Sequence, residues 1–313
     1  MFGRAGWMGL LVAGGLLVAG CGRIGFDPVG LAVGDGLPDG GAADAARLCT
    51  RGAPFGAPTL VPIDGVFSIE GARFSPDETL ASFSLCPSDG NKAGCDLYTS
   101  RFLPAIGAFG DFTKLTGLSV AGQYDSYPSP SPDGTTMVFG STRAGSVQVF
   151  VATAQSGSFD APVIQQLSIA PGAEFGNEPF ILGDGRTIYF SAGNTTTVQS
   201  DLYRANGAPP DFGGTATLVA DLNTAENEFA PVVSDDELEV FFATNRDTPA
   251  VDSALDIFTA SRASPGDAFT VPAIVPALPT AGIQWPLWIS PDACRLYFID
   301  KPGAVATLYV ASR

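Results

Sequence analysis

The stretch Ser131-Pro132-Asp133-Gly134-Thr135-Thr136-Met137-Val138-Phe139 contains the pattern that decides the fold. A turn-forming Ser-Pro-Asp-Gly is followed by an alternating apolar run that reaches phenylalanine six residues after the aspartate. The same spacing occurs at four other places: Asp77/Phe83, Asp184/Phe190, Asp236/Phe242 and Asp292/Phe298. Successive aspartates are 56, 51, 52 and 56 residues apart. The chain therefore contains five copies of a unit of about 50 residues.

Each unit predicts a sheet of four strands. The aspartate turn joins the first strand to the second, and a polar loop leads to a third strand such as Asp201-Leu202-Tyr203. A phenylalanine introduces a fourth strand in the first four units, but the fifth unit stops at Arg313 without one. Residues 55–62 read like the fourth strand that begins at Phe159, so we expect them to complete the last sheet.

A ring of four-stranded units of this length, closed by its N-terminal strand, is typical of β-propellers. The sequence predicts an all-β fold, a five-bladed β-propeller of four-stranded antiparallel blades in which the N-terminal strand closes the last blade. Six blades is the alternative.

The units also resemble a known family, the WD40-like Pro-Asp propeller repeats of the TolB propeller and of many bacterial cell-envelope proteins. The resemblance is carried by the Ser-Pro-Asp-Gly turn, the aromatic strand after it and the Asp-Leu-Tyr strand, and it covers roughly residues 50–313. The resemblance to TolB implies a propeller of six blades that follows an N-terminal α/β domain, whereas this chain has five units and no such domain. The resemblance therefore implies a propeller in the cell envelope but not a role in the Tol system.

Composition restricts the chemistry. Among 313 residues there are 16 basic and 32 acidic side chains, a formal charge of -16, which makes nucleic acid an improbable partner. There is no histidine. The Ser-His-Asp triad, the Cys-His dyad and every histidine-containing zinc site are thereby excluded. We expect no cofactor and no bound metal.

The N-terminus is organised like an export signal. Arg4 precedes an apolar run, and Val18-Ala19-Gly20-Cys21 matches the lipobox of bacterial lipoproteins. By that resemblance residues 1–20 are a signal peptide, and Cys21 is acylated and inserted in the membrane. Residues 21–48, rich in glycine, form a flexible tether, and residues 49–313 form the propeller. The predicted location is the outer membrane, the periplasm or the cell surface; the alternative is an ordinary signal peptide with an incidental cysteine.

Four cysteines remain after Cys21. An even number in an exported protein predicts disulfides. Cys86 and Cys95 flank one polar loop, so we expect them to pair, and Cys49 then pairs with Cys294 by elimination. A metal site formed by these thiols is the competing interpretation.

The candidate binding residues precede or begin the first strand of each blade, because those strands surround the central channel of a propeller. The predicted ligand-binding residues at the channel mouth are Glu70, Asp125, Tyr127, Asn177, Glu178, Asn227, Glu228, Gln284 and Trp285. Carboxylates, amides and aromatic rings together suit a polar ligand, a sugar or a cation. The alternative is that these residues cap loops and face water. The five turn aspartates are interpreted as structural, since such a side chain accepts hydrogen bonds from its own turn.

Three functions fit this sequence. The first is a non-enzymatic envelope lipoprotein whose propeller binds or scaffolds a protein or glycan partner at its top face, and we favour it because no nucleophile motif is present. The second is a glycoside hydrolase that uses only carboxylates drawn from Glu70, Asp125, Glu178 and Glu228. The third is a lectin-like sugar-binding module that uses Trp285 and Tyr127.

Replacing Cys21 by serine should release the protein from membranes. Each acyl chain contributes about 0.8 kcal/mol per buried CH₂, and the apolar run before Cys21 is shorter than the roughly 20 residues of a spanning helix. The measurement is the distribution of wild type and Cys21→Ser between membrane and soluble fractions. A variant that still requires detergent for extraction would show that the lipobox interpretation is wrong.

Overall fold

The computed structural model describes residues 49–313 apart from 66, 90, 170–171, 196–198, 248–254, 277, 279–281 and 304. The predicted signal peptide, Cys21 and the tether lie outside the described residues. The strand that begins the described fold is β1 (Thr59–Leu60). Among these residues no helix is long and apolar enough to cross a membrane.

The described strands form five antiparallel sheets of four strands each, which are the blades. Blade 1 contains β2 (Ser68–Phe74), β3 (Leu80–Cys86), β4 (Asp96–Leu103) and β5 (Ala108–Lys114). Blade 2 contains β6 (Asp125–Pro130), β7 (Thr136–Ala144), β8 (Ser146–Gln155) and β9 (Ser158–Gln166). Blade 3 contains β10 (Phe175–Ile181), β11 (Thr187–Asn194), β12 (Gln199–Asn206) and β13 (Thr217–Leu218). Blade 4 contains β14 (Glu228–Val233), β15 (Glu239–Thr244), β16 (Asp256–Ser261) and β17 (Ala273–Ile274). Blade 5 contains β18 (Ile283–Ile289), β19 (Arg295–Lys301) and β20 (Thr307–Ser312), and its fourth strand is β1. The predicted five-bladed propeller is confirmed, and the six-bladed alternative is wrong.

The N-terminal strand closes the ring, as predicted. Thr59 lies opposite Val310 and Leu60 opposite Tyr309 in the antiparallel pair of β1 and β20. The Val61 N–H donates to the Leu308 carbonyl at 3.0 Å. The two ends of the propeller are therefore joined within one sheet.

The turn aspartates have the predicted structural role. Asp133 Oδ1 accepts hydrogen bonds from the Ser131 hydroxyl at 2.6 Å and from the Thr135 N–H at 3.0 Å. Partial burial raises the pKa of this carboxyl, but these hydrogen bonds outweigh it and hold the pKa below the usual value. Asp77, Asp184, Asp236 and Asp292 show the same direction of shift for the same reasons. The carboxylates therefore stabilise the turns and do not serve as ligand-binding groups.

The residue after each turn aspartate has a positive φ. It is glycine in blades 2 and 3, but Glu78 (φ 59°) and Glu237 (φ 57°) occupy the position in blades 1 and 4. Glu78 accepts from the Tyr297 hydroxyl at 2.6 Å, and Glu237 accepts from the Tyr189 hydroxyl at 2.6 Å. Each hydrogen bond joins the glutamate to a tyrosine of the preceding blade of the ring. Both glutamates therefore form an inter-blade contact at a position whose positive φ is unfavourable for a residue other than glycine.

The repeated phenylalanines pack between blades. All five, Phe83, Phe139, Phe190, Phe242 and Phe298, are fully buried. In three blades this ring stacks on the aromatic ring of the third strand, with centroid distances near 6 Å: Phe139 on Phe150, Phe190 on Tyr203 and Phe298 on Tyr309. They belong to the hydrophobic core.

The propeller has two distinct faces. We call the face with the five aspartate turns the lower face and the opposite one the upper face. Cys49 and Cys294 form a disulfide on the lower face, beside the turn of Asp292, while Cys86 and Cys95 form a disulfide in the upper-face loop between β3 and β4. Both predicted pairings are confirmed, so these thiols do not form a metal site.

The two disulfides should differ in their effect on stability. Cys49–Cys294 spans 245 residues and Cys86–Cys95 spans nine, and a cross-link lowers the entropy of the unfolded chain more when its loop is long. Loop closure predicts a loss of about 5 kcal/mol for Cys49→Ala/Cys294→Ala and about 3 kcal/mol for Cys86→Ala/Cys95→Ala. Urea unfolding of the two double variants under non-reducing conditions measures both values. An equal or larger loss in the second variant would contradict this account.

Candidate functional site

All five first strands change register along their length. The shifts lie at Ile69/Gly71, Ser126/Ser129, Asn177/Phe180, Phe229/Val232 and Pro286/Trp288. Tyr127 and Glu178 lie in these irregular segments with positive φ values of 49° and 55°. A bulge redirects the side chains beside it. This common irregularity therefore sets the directions of the candidate side chains at the axis.

The nine candidate residues lie at or beside the starts of the first strands, but none of them is exposed. Buried are Glu70, Asp125, Tyr127, Glu178, Glu228 and Gln284, whereas Asn177, Asn227 and Trp285 are half-buried. Whether they bind a ligand stays a prediction. Their contacts distinguish the residues whose polar atoms are used within the fold from those whose polar atoms could contact a ligand.

Asp125 is held by an arginine of its own blade. Its Oδ1 accepts from the Ser141 hydroxyl at 2.6 Å and from Arg143 Nη2 at 3.0 Å. Arg143 also donates to the Leu118 carbonyl in the segment between blades 1 and 2, and its guanidinium lies 4.8 Å from the centroid of the Phe139 ring. Arg143 therefore joins Asp125 to the segment that connects the two blades.

Glu228 repeats this arrangement in blade 4. Its Oε1 accepts from the Thr224 hydroxyl at 2.6 Å and from Arg246 Nη2 at 3.0 Å. Arg246 donates to the Leu222 carbonyl of blade 3 at 2.6 Å and lies 4.9 Å from the Phe242 ring centroid. Hydrogen-bond capacity at both Asp125 and Glu228 is thus used by the fold. Sequence reasoning missed the two arginines, although Ser-Thr-Arg and Thr-Asn-Arg occur at the ends of the second strands of these two blades.

Glu70 contacts three residues that were not among the predicted binding residues. Glu70 accepts from Lys301 Nζ at 3.3 Å and from the Tyr124 hydroxyl at 3.4 Å, and its second ion pair, with Lys92 Nζ, is 4.0 Å long. Burial and the negative charges of Glu70 and Glu178 raise the pKa of Tyr124 well above its usual value. We call Glu70, Tyr124, Tyr127 and Glu178 the carboxylate–tyrosine cluster.

Glu178 is the member without a paired cation at ion-pair distance among the described residues. Its Oε2 accepts from the Ser191 hydroxyl and from the Ala230 N–H at 3.0 Å. Burial raises the pKa of Glu178 even though both hydrogen bonds oppose it. Burial, Tyr124 and the two glutamates likewise raise the pKa of Tyr127. The cluster is a closed polar interior at the upper end of the channel.

Gln284 and Trp285 each have a hydrogen-bond donor that the described residues do not use. In the described part of the chain Gln284 Nε2 and Trp285 Nε1 are buried atoms with no hydrogen-bond partner. Asp300 lies directly opposite Gln284 in the pair of β18 and β19, and its Oδ1 is likewise a buried atom without a hydrogen-bond partner among the described residues. Burial raises the pKa of the Asp300 carboxyl. Unsatisfied donors and acceptors are thus concentrated at the upper end of blade 5.

The two asparagines are used within the fold. Asn177 Oδ1 accepts from the Ser126 hydroxyl at 3.1 Å, and Asn227 Oδ1 accepts from the Ser200 N–H at 3.0 Å. Both contacts connect neighbouring blades. They explain these asparagines without a ligand.

Replacing Arg246 should show that Glu228 is structural. Arg246→Met leaves a buried carboxylate without its cation, which costs about 3–5 kcal/mol of unfolding free energy. The exposed Arg101–Asp111 pair provides the control, because Arg101→Met should change stability by about 1 kcal/mol at most. Urea unfolding at neutral pH measures both.

The same variant has a defined pH dependence. Burial already raises the folded-state pKa of Glu228, and loss of Arg246 raises it further, so ionisation of Glu228 opposes folding as pH rises above the usual value of 4.5. The deficit of Arg246→Met should therefore be smallest below pH 4.5 and should increase toward neutral pH. A deficit that does not depend on pH would assign the loss to packing alone.

No family model matches the chain, and no curated protein sequence matches it. Its fold is similar to that of solved structures. TolB from Acinetobacter baumannii has a TM-score of 0.50 and 14% identity, over 79% of this chain and 55% of that one. An endo-arabinase from Bacteroides thetaiotaomicron VPI-5482 has a TM-score of 0.54 and 11% identity, over 81% of this chain and 96% of that one. A thermostable family-43 glycoside hydrolase has a TM-score of 0.51 and 14% identity, over 80% of this chain and 91% of that one.

At these identities the similarity shows the fold alone. This chain spans 55% of the length of the TolB protein from Acinetobacter baumannii. The predicted resemblance to a TolB-type β-propeller is confirmed as a likeness of fold.

Proposed function

We propose that the protein is an exported, lipid-anchored envelope protein whose propeller is a non-enzymatic binding module for a protein or glycan at its upper face. The observation that carries this proposal is the pair of buried donors, Gln284 Nε2 and Trp285 Nε1, without an acceptor in the described protein. A buried donor without a partner costs about 1–3 kcal/mol, and a ligand that supplies an acceptor removes this cost.

The chemistry of the ligand follows from these atoms. Both groups donate, so the ligand presents acceptors such as sugar hydroxyls or peptide carbonyls. The indole of half-buried Trp285 adds an apolar surface suited to a sugar ring or an aliphatic side chain. A closed ring holds these groups in place before binding, which reduces the ordering cost of association.

A glycoside hydrolase is the second candidate, and one observation favours it. Glu178 is buried and has a raised pKa, as a general acid in such enzymes does. A second carboxylate is needed, yet Asp125 and Glu228 are paired with arginines and Glu70 with lysines. The fold does not choose between the candidates, since TolB and an endo-arabinase share it.

The anchor also gives an orientation. Cys49 is bound to Cys294 on the lower face, so a tether of residues 21–48 approaches the propeller from that side. The proposed binding face then points away from the membrane. This part of the proposal depends on acylation of Cys21.

A glycan array and a peptide-display screen, run beside a panel of chromogenic glycosides, test the proposal. We expect binding without hydrolysis, and we expect Gln284→Ala and Trp285→Ala each to weaken it by about tenfold or more, since each removes a donor to the ligand. Phe102→Ala, which truncates an exposed aromatic elsewhere, is the matched control and should bind as wild type does.

Two results would refute the proposal. Binding that is unchanged in Gln284→Ala and Trp285→Ala would place the ligand elsewhere. Hydrolysis of a glycoside that is lost in Glu178→Gln would establish the second candidate instead.

A further inference from the structure

The lower end of the channel contains a cation that the upper-face site does not involve. Arg73 lies four residues before the turn aspartate of blade 1. The equivalent positions of the other blades hold Ser129, Phe180, Val232 and Trp288. Arg73 is therefore the one charged side chain in an otherwise neutral ring of first-strand residues, and it is only 4% exposed.

Arg73 is held by carbonyl groups. Its Nη1 donates to the Ala72 carbonyl at 2.9 Å and to the Leu287 carbonyl of blade 5, and its Nη2 donates to the Pro179 carbonyl of blade 3 at 3.2 Å. The guanidinium carbon lies 4.7 Å from the centroid of the Phe180 ring. Three blades therefore fix the orientation of this side chain.

The charge of Arg73 is not neutralised by the described residues. No carboxylate among them lies within ion-pair distance of it, and its Nε is a buried atom without a hydrogen-bond partner. Burial lowers the pKa of the guanidinium to about 9, so it is still protonated at neutral pH. A buried cation is ordinarily accompanied by an anion, because isolated burial of a charge is costly.

Arg73 lies in the lining of a depression that opens on the lower face and has a cavity volume of about 80 Å³. The walls are mainly apolar, with Phe180, Ile181 and Trp288 beside the arginine. Three turn prolines, Pro76, Pro132 and Pro291, contribute to the lining as well.

One acidic residue also contributes to this depression. Asp235 Oδ1 accepts the Gly183 N–H at 2.8 Å, so this carboxylate is engaged in a contact between blades 3 and 4. It forms no ion pair with Arg73. The guanidinium remains the charge without a counterion.

We propose that this depression binds a carboxylate attached to an apolar group, with Arg73 as the anion-binding residue and Trp288 and Phe180 as the apolar contacts. Three of the five guanidinium N–H groups donate to carbonyls, which leaves the Nε–H and one Nη2–H for the two carboxylate oxygens. The apolar walls distinguish such a ligand from a simple inorganic anion. A free organic acid and the C-terminus of an apolar peptide share this chemistry.

The test compares N-acetylphenylalanine with N-acetylphenylalaninamide, which differ by the carboxylate charge. Titration calorimetry and thermal unfolding are recorded for wild type, Arg73→Met, Arg73→Gln and the exposed control Arg101→Met. We expect the acid to bind wild type and Arg101→Met and to raise their Tm with concentration. Wild type should bind the amide at least about tenfold more weakly than the acid, and both Arg73 variants should bind the acid at least about tenfold more weakly than wild type does. In each case one partner of a charge-assisted hydrogen bond is missing.

Further probes separate the contributions and the source of the ligand. Acetate and chloride should bind more weakly than N-acetylphenylalanine, since they lack the apolar group. A peptide with a free apolar C-terminal residue, compared with its amidated form, shows whether the depression accepts a chain end, and binding of either the free acid or the free peptide supports the proposal.

Three results would overturn it. Equal binding of acid and amide by wild type would show that the carboxylate charge of the ligand does not contribute to binding. This comparison uses wild type alone, so it holds even if neither Arg73 variant folds. Unchanged acid binding in Arg73→Met or Arg73→Gln would exclude Arg73. Equal affinity for acetate and N-acetylphenylalanine would exclude the apolar contacts.

Discussion

The pairing of β1 with β20 is the interaction on which the rest of the structure depends. Thr59 and Val310 lie opposite each other although 251 residues separate them. A two-residue strand forms few hydrogen bonds, and closing so long a loop has a large entropic cost. The chain reinforces the junction. The Cys49–Cys294 disulfide lies next to it, Arg51 pairs with Asp236 at 2.6 Å, and buried Arg313 pairs with Glu239 of blade 4.

A closed ring explains why charged groups can be buried at the axis. First strands from different blades converge there, so the carbonyls of blades 1, 3 and 5 can surround one guanidinium at Arg73. The same convergence places Glu70 of blade 1 beside Lys301 of blade 5 and Tyr124 of blade 2. Opening the ring would expose these groups to water and remove their partners. The polar interior therefore depends on closure as much as the hydrophobic core does.

The two ends of the channel differ in chemistry. The upper end combines the carboxylate–tyrosine cluster with the unpartnered donors Gln284 Nε2 and Trp285 Nε1. The lower end combines Arg73, which has no carboxylate at ion-pair distance among the described residues, with aromatic and proline walls. Equivalent positions of the first strands carry different residues in different blades, so one repeated fold has different side chains at the two ends of its channel. The repeated strands and turns form the fold, and the residues that differ between blades provide the chemical groups at the ends of the channel.

The sequence by itself determined the blade count, the closing strand, both disulfides and the structural role of the turn aspartates. These features depend on local turn chemistry and on a spacing that recurs along the chain, and both can be read from single positions such as Asp133 and Phe139. The predicted channel residues were located beside the correct strands, but their environments were not predictable. Asp125 and Glu228 are neutralised by Arg143 and Arg246 of their own blades, and Arg73 has no carboxylate at ion-pair distance among the described residues, because such pairings are decided by distances that exist only in the folded chain. Tertiary structure alone sets burial and cross-blade distance, and these two quantities decide whether a charge is an inter-blade contact or a binding group.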